Sequence, residues 1–213
     1  MNLPNKLTVI RLIMVPIFMA VMLLAIFVPF QNGAVEIYLN LAGAFLFIAA
    51  SVTDLLDGKI ARKNNLVTDF GKFLDPLADK FMVIGAMLCI FLANAKGGLT
   101  PMSILYFAAL VIVIFRELAV TSIRLVASSS GGVVIAANLL GKTKTVTQIV
   151  AVSAAIIEPI LWKLLIQIVH IEAPWLLVYP PITFIATILA IYFTIHSGIN
   201  YIAGAWKFLD PEK

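Results

Sequence analysis

The chain has 213 residues, of which 62% are hydrophobic and 12% charged, and its mean hydropathy is +1.06. A soluble domain of that composition would lack the polar residues needed to cover its surface, so the reading is a polytopic membrane protein in one domain, residues 1–213. The net charge of +4 does not imply nucleic acid, because the basic residues are spread between apolar segments; they suit anionic lipid head groups and phosphorylated substrates.

In chain order, Asn2 to Thr8 fit a short N-terminal interfacial helix with Pro4 in its first turn, or equally a plain tail. Leu12–Phe30 follows, 19 uncharged residues. This exceeds a typical secretion-signal core and no A-x-A site follows it, so it reads as a retained transmembrane helix. Ile37–Thr53 is the second apolar segment. Leu74–Ala95 is the third, with Asp75, Asp79 and Lys80 in its first two turns and the only cysteine, Cys89, in its apolar part. One cysteine excludes an internal disulfide and reads as a small buried hydrophobe.

Met102–Leu125 is the fourth segment and carries Arg116, Glu117 and Arg124 in its last turns. Val146–Val169, the fifth, is interrupted by Glu158, Pro159 and Lys163, and Pro159 is expected to kink or end it. Trp175–Tyr201 is the sixth, with Trp175 and Trp206 suited to the two interfaces. Gly97-Gly98 and Ser128 to Gly132 read as loops. A hydrocarbon core of ~30 Å needs about 20 helical residues, so the expected fold is all-α with six transmembrane helices.

With six spans, one side of the membrane receives 13 basic residues, among them Lys6, Arg11, Lys59, Arg62, Arg116 and Lys144; the other receives Lys96 and Lys163. The positive-inside rule then puts both termini and the 54–80 and 116–144 stretches in the cytoplasm.

Carboxylates are expensive near a membrane, about 2.5–3.5 kcal/mol for one Asp at a helix centre. Yet Asp54, Asp57, Asp75 and Asp79 occur on the spacing D-x2-D-G-x2-A-R-x8-G-x3-D-x3-D, with Gly58, Ala61, Arg62 and Gly71 as its other fixed residues. If the second span stays helical through Arg62, Asp54 and Asp57 share one face at i and i+3, where Gly58 and Ala61 leave room for a bulky ligand. Asp75 and Asp79 are i and i+4 on the next helix, and Pro76 fits if that helix begins only a residue or two before it. Two facing pairs of carboxylates would repel unless a cation lies between them, and hard oxygen ligands suit Mg²⁺ or Mn²⁺ rather than zinc. A pyrophosphate is the natural partner of such ions. Read singly, any of these acids also fits a salt bridge to Lys59, Arg62, Lys63 or Lys72. Asp69, off the spacing, reads as the N-cap of the third span.

The spacing matches without departure the signature of the CDP-alcohol phosphatidyltransferases. Three further segments resemble one branch of that family, the phosphatidylglycerophosphate synthases: Asn2-Leu-Pro-Asn5-Lys-Leu-Thr8-Val-Ile-Arg11, Arg116-Glu117-Leu-Ala-Val-Thr121-Ser-Ile-Arg124, and Gly141-Lys142-Thr-Lys144-Thr145. The resemblance assigns Asp54, Asp57 and Asp75 to metal binding, two ions in all, and divides Asp79 between metal contact and general base. It also implies that Arg62 holds a nucleotide phosphate and that Asp57, Gly58, Ala61 and Gly71 border the CDP-diacylglycerol, with a homodimer as the assembly.

Arg116, Arg124, Lys142 and Lys144 form a pool of positive charge on the same side as the acids. On charge alone, membrane anchoring and a site for an acceptor carrying its own phosphate are equally good readings. The family branch implies the second, with Thr121 adding a hydroxyl and glycerol 3-phosphate as the acceptor. Glu117 is expected to pair with a basic neighbour, and His170 and His196 to be interfacial. The implied activity is transfer of a phosphatidyl group from CDP-diacylglycerol to glycerol 3-phosphate in the cytoplasmic (inner) membrane. Alternatives are another acceptor (inositol phosphate, phosphatidylglycerol or serine) or, from a different class, a divalent-cation transporter.

Overall fold

A computed structural model describes residues 2–29, 33–63, 68–129, 139–170 and 173–206. All the regular structure in them is helical: α1 (Leu3–Phe27), α2 (Gly33–Lys63), α3 (Asp69–Ala95), α4 (Pro101–Ser129), α5 (Leu139–Val169), the single turn α6 (Trp175–Val178) and α7 (Pro181–Ala205). Six segments are long and apolar enough to cross a membrane, the last running from Trp175 to Ala205. The expected all-α, six-span integral membrane protein is what the chain forms.

Local chemistry sets the helix ends. The Asn2 side chain accepts from the Asn5 N–H at 3.1 Å and starts α1. The N-terminal residues are therefore the first turns of a continuous span, not a separate interfacial helix. Thr68, rather than Asp69, caps α3: its hydroxyl accepts from the Gly71 N–H at 3.1 Å, and Asp69 is the first residue of the helix. Pro76 consequently lies inside α3, not at its start. Pro16 and Pro159 also sit inside helices, which run on unbroken through them. The helical part of α4 continues through Ser129, past the expected loop start at Ser128.

Packing follows from one buried stripe on α1. Asn5, Thr8, Arg11, Val15, Phe18, Met22 and Ile26 recur every three or four residues and all face inward. Below Arg11 the stripe is apolar. It meets Ala44, Phe47 and Ala50 of α2 and Met82, Val83, Ala86 and Ile90 of α3, the rings of Phe18 and Phe47 lying 5.9 Å apart. α4 and α5 close this core with Tyr106, Val113, Val152 and Ile156. α7 packs on α4 and α5, where Ala151, Ala186 and Ala190 let the backbones approach. Large apolar residues such as Phe45, Phe107, Phe115 and Ile185 point outward, as expected of a lipid-facing exterior.

Glu158 has a use that its place beside a proline concealed. It is 3% exposed, and its carboxylate accepts from the Ile182 and Thr183 N–H groups at 3.0 and 2.6 Å, from the Thr183 hydroxyl at 2.7 Å and from Trp162 Nε1 at 3.0 Å. α7 begins with Pro180-Pro181, which supply no capping side chain of their own. A carboxylate on α5 thus caps α7 from outside, at the end where the helix dipole favours negative charge. α5 runs unbroken through Glu158 and Pro159, so the expected interruption there does not occur. Glu158→Ala removes these acceptors together and should cost about 1.5–3 kcal/mol. The expected readout is a clear fall in the thermal midpoint of the purified protein in lipid nanodiscs; an unchanged midpoint would refute the cap.

Candidate active site

α2 remains helical to Lys63, so Asp54 and Asp57 stand three residues apart on a helix, as the spacing requires. The side chains of Asp57, Gly58, Ala61 and Arg62 lie outside the described residues. Asp54, Asp75 and Asp79 are described, and all three line one cavity of about 580 Å³.

α1 supplies the groups that hold these acids. Arg11 is 0% exposed, and its Nη1 lies 2.6 Å from Asp54 Oδ1 and 3.1 Å from Asp79 Oδ1. The Thr8 hydroxyl donates to Asp75 Oδ1 at 2.6 Å. One turn earlier, Asn5 and Thr68 join through hydrogen bonds of 2.9 and 3.0 Å. Gly71 sits under this junction: a Cβ there would lie 2.9 Å from Asn5 Oδ1 and 3.3 Å from Thr68 Oγ1. The close approach at Gly71 is therefore first of all one between helices. Asn5, Thr8 and Arg11 belonged to the family-like N-terminal segment, but their spacing alone carried a signal: three polar residues at i, i+3 and i+6 heading an apolar stripe.

The opposite wall comes from α4, α5 and α7. Arg116, Arg124 and Lys144 line the cavity, with Glu117 between two of them; its Oε1 accepts from Arg116 Nη1 at 2.9 Å and Lys144 Nζ at 2.5 Å. The expected local pairing of Glu117 is thus present. Arg124, eight residues from Arg116 on the same helix face, makes no ion pair among the described residues. Lys142 is exposed and does not line the cavity. Nor does Thr121, whose hydroxyl donates to the Glu117 carbonyl at 2.6 Å and accepts from Lys80. Ser197, Asn200, Tyr201 and Gly204 of α7 complete the wall; sequence reading had missed them. His196 stacks on Tyr192, with ring centroids 5.9 Å apart.

The cavity thus brings carboxylates of α2 and α3 opposite cations of α4 and α5, with Lys80 of α3 reaching across to Thr121 of α4. Carboxylate oxygens are the donors that Mg²⁺ or Mn²⁺ prefers, so the residue types fit such an ion. Among the described residues no group of three acidic, His or Cys side chains is arranged to hold a metal. Asp57, the fourth acid of the spacing, is not among the described side chains.

The family model of the CDP-alcohol phosphatidyltransferases matches residues 1–208. The chain belongs to the CDP-alcohol phosphatidyltransferase family. A Bacillus subtilis relative, a CDP-diacylglycerol–glycerol-3-phosphate 3-phosphatidyltransferase, is 42% identical over 99% of this chain and 98% of its own. A probable phosphatidylglycerophosphate synthase of Mycobacterium tuberculosis is 33% identical over 97% of this chain and 82% of its own. A Rickettsia bellii protein with the same name as the Bacillus relative is 35% identical over 73% and 75%.

Arg11 bridges the two acid-bearing helices, so replacing its fork should loosen the site more than the fold. Arg11→Lys keeps the charge but cannot offer two carboxylates the same planar donors. The expected result is a folded protein in which transferase turnover falls at least about tenfold, the loss of one charge-assisted hydrogen bond. Wild-type turnover in this variant would show that the bridge is only structural.

Proposed function

We propose that the chain transfers the phosphatidyl group of CDP-diacylglycerol to glycerol 3-phosphate, giving phosphatidylglycerophosphate and CMP. The observation that carries this reading is the pairing of Arg116, Arg124 and Lys144 with Asp54, Asp75 and Asp79 across one cavity. Choline, ethanolamine and serine bring no phosphate to a cationic wall; glycerol 3-phosphate does. The names of the Bacillus subtilis and Mycobacterium tuberculosis relatives support the same acceptor.

Asp54, Asp57, Asp75 and Asp79 would hold Mg²⁺ or Mn²⁺, two ions on the family resemblance, which when bound neutralises the pyrophosphate and the departing CMP. The chain's own residues do the rest. Arg116, Arg124 and Lys144 draw the acceptor phosphate to one wall by charge-assisted hydrogen bonds. That orients the primary hydroxyl toward the acids, and Asp79 takes its proton. The freed oxygen bonds to the β-phosphorus that carries diacylglycerol, and the bond from that phosphorus to the bridging oxygen breaks. CMP leaves with the bridging oxygen. Arg11, buried behind Asp54 and Asp79, fixes where the two carboxylates stand.

In this reading the site opens to the cytoplasm in the inner membrane, with both termini on that side. Thirteen of the 15 basic residues fall on the acid-bearing side of a six-span chain, which supports that orientation. Single cysteines at Lys63 and Lys96 in a Cys89→Ala background should label from opposite faces of intact cells. Labelling of position 63 from outside would reverse the orientation and with it the substrate route.

CMP release in lipid vesicles tests the chemistry. Glycerol 3-phosphate should be turned over, plain glycerol barely, and chelation of divalent ions should stop the reaction. Asp79→Asn should lower kcat by about 10²–10⁴-fold. Arg124→Ala should raise the KM for glycerol 3-phosphate by roughly 10–150-fold and leave that for CDP-diacylglycerol near normal. Equal use of glycerol and glycerol 3-phosphate would refute the acceptor assignment.

A further inference from the structure

Ser197, Asn200, Tyr201 and Gly204 stand at i, i+3, i+4 and i+7, one face of α7, and all line the cavity. α7 carries buried hydroxyls along its length at Thr183, Thr187 and Thr194, and what sets this end apart is that its polar face opens onto the cavity. The backbone lies close here: a Cβ at Gly198 would come within 3.1 Å of Arg116 Cγ. This face of α7 is thus seated directly beside the cationic wall.

Most polar groups around the cavity are already engaged. The Ser197 hydroxyl donates to the Thr194 carbonyl at 3.1 Å, and Gln148 Nε2 donates to the Thr194 hydroxyl at 2.9 Å. Lys80 is on Thr121, and Lys144 is on Glu117. Two buried polar atoms of the cavity residues are left without a partner among the described residues: Arg116 Nε and the Tyr201 hydroxyl. Buried polar groups are rarely left unmatched, so an unmatched one that lines a ligand cavity is a candidate for a bond that the ligand completes.

We infer that the Tyr201 hydroxyl binds the secondary hydroxyl of the acceptor, and that Tyr201 is a specificity-determining residue for a three-carbon polyol phosphate. The inference rests on the function proposed above. In that reading the acceptor brings three polar groups to the cavity. Its phosphate meets Arg116, Arg124 and Lys144, and Arg116 Nε is a natural additional donor to it. Its primary hydroxyl meets Asp79. The secondary hydroxyl remains, and the remaining uncommitted buried group is the Tyr201 hydroxyl, which can both donate and accept. A site that hydrogen-bonds a substrate hydroxyl also discriminates against alcohols that lack it, because its own group is then left unpaired.

The test pairs one deletion on the enzyme with one on the substrate. Full-length wild type and Tyr201→Phe, in vesicles containing CDP-diacylglycerol, are assayed with glycerol 3-phosphate and with 3-hydroxypropyl phosphate, which lacks only the secondary hydroxyl. The analogue is read as kcat/KM, or as an inhibition constant if it is not turned over. Tyr201→Phe should lower kcat/KM for glycerol 3-phosphate by about 5–100-fold, leave the analogue within about twofold, and leave the KM for CDP-diacylglycerol unchanged. An equal loss on both acceptors would put Tyr201 on the phosphate or in the scaffold and overturn the inference alone, as would no loss on either. Failure of the wild type to use glycerol 3-phosphate would overturn the proposed function and this inference with it.

Discussion

Asp54 and Asp79 come from different helices, and two carboxylates brought together at a membrane boundary repel each other in poor solvent. The guanidinium of Arg11 lies between them, fully buried, with one nitrogen reaching an oxygen of each. The remainder of the acid-bearing end depends on that contact. It fixes how α1, α2 and α3 meet, and Thr8 on Asp75 and Asn5 on Thr68 extend the same seam by one turn each. A buried ion pair gains little net stability over an apolar contact, since both charges must be desolvated. Its gain here is geometric, because a planar nitrogen whose two N–H groups point in fixed directions leaves the carboxylates few ways to stand.

The cationic wall solves the opposite problem. Arg116, Arg124 and Lys144 face one cavity, and Glu117 takes up part of their mutual repulsion by bonding two of them. One acid among three cations leaves that wall net positive, facing Asp54, Asp75 and Asp79 across the cavity. The two walls then differ in kind. The carboxylates are held by a resident cation from α1, whereas the cations are only partly offset from within.

The acids were legible because their spacing of three and four is a helical period, and because carboxylates in so apolar a chain stand out. α1 was not legible in the same way. Asn5, Thr8 and Arg11 resemble an interfacial tail when read locally, and their partners lie 43 to 68 positions away. Glu158 was read as a break because Pro159 follows it. The local rule failed since the carboxylate serves a helix that begins 23 residues later, at Pro181. The Pro180-Pro181 start, with no capping side chain of its own, was the available hint that an acceptor had to come from elsewhere. Lys142 and Thr121 shared the charge and hydroxyl chemistry of the acceptor wall, but chemistry does not specify helix face. Lys142 is two residues from Lys144, about 200° around the helix, which turns it away from the cavity.

α7 ties the two ends of the molecule together. Its first turn is fastened to α5 by Glu158, and its last turns form the polar face beside Arg116. Between them lie turns packed on α4 and α5 through small residues, with Gln148 of α5 donating to the Thr194 hydroxyl. A helix of 25 residues is about 37 Å long, so the cap and the cavity stand at opposite ends of one rigid rod. Without an acceptor for its first N–H groups, the start of α7 would fray, and the bond from Gln148 to Thr194 would be the directional contact left to set the register of the rod against α5. Three hydrogen bonds from α7 on one carboxylate restrict that freedom. The position of Tyr201 in the cavity is thus fixed in part by an acid at the far end of the bundle, which accounts for a buried carboxylate that no step of the chemistry uses.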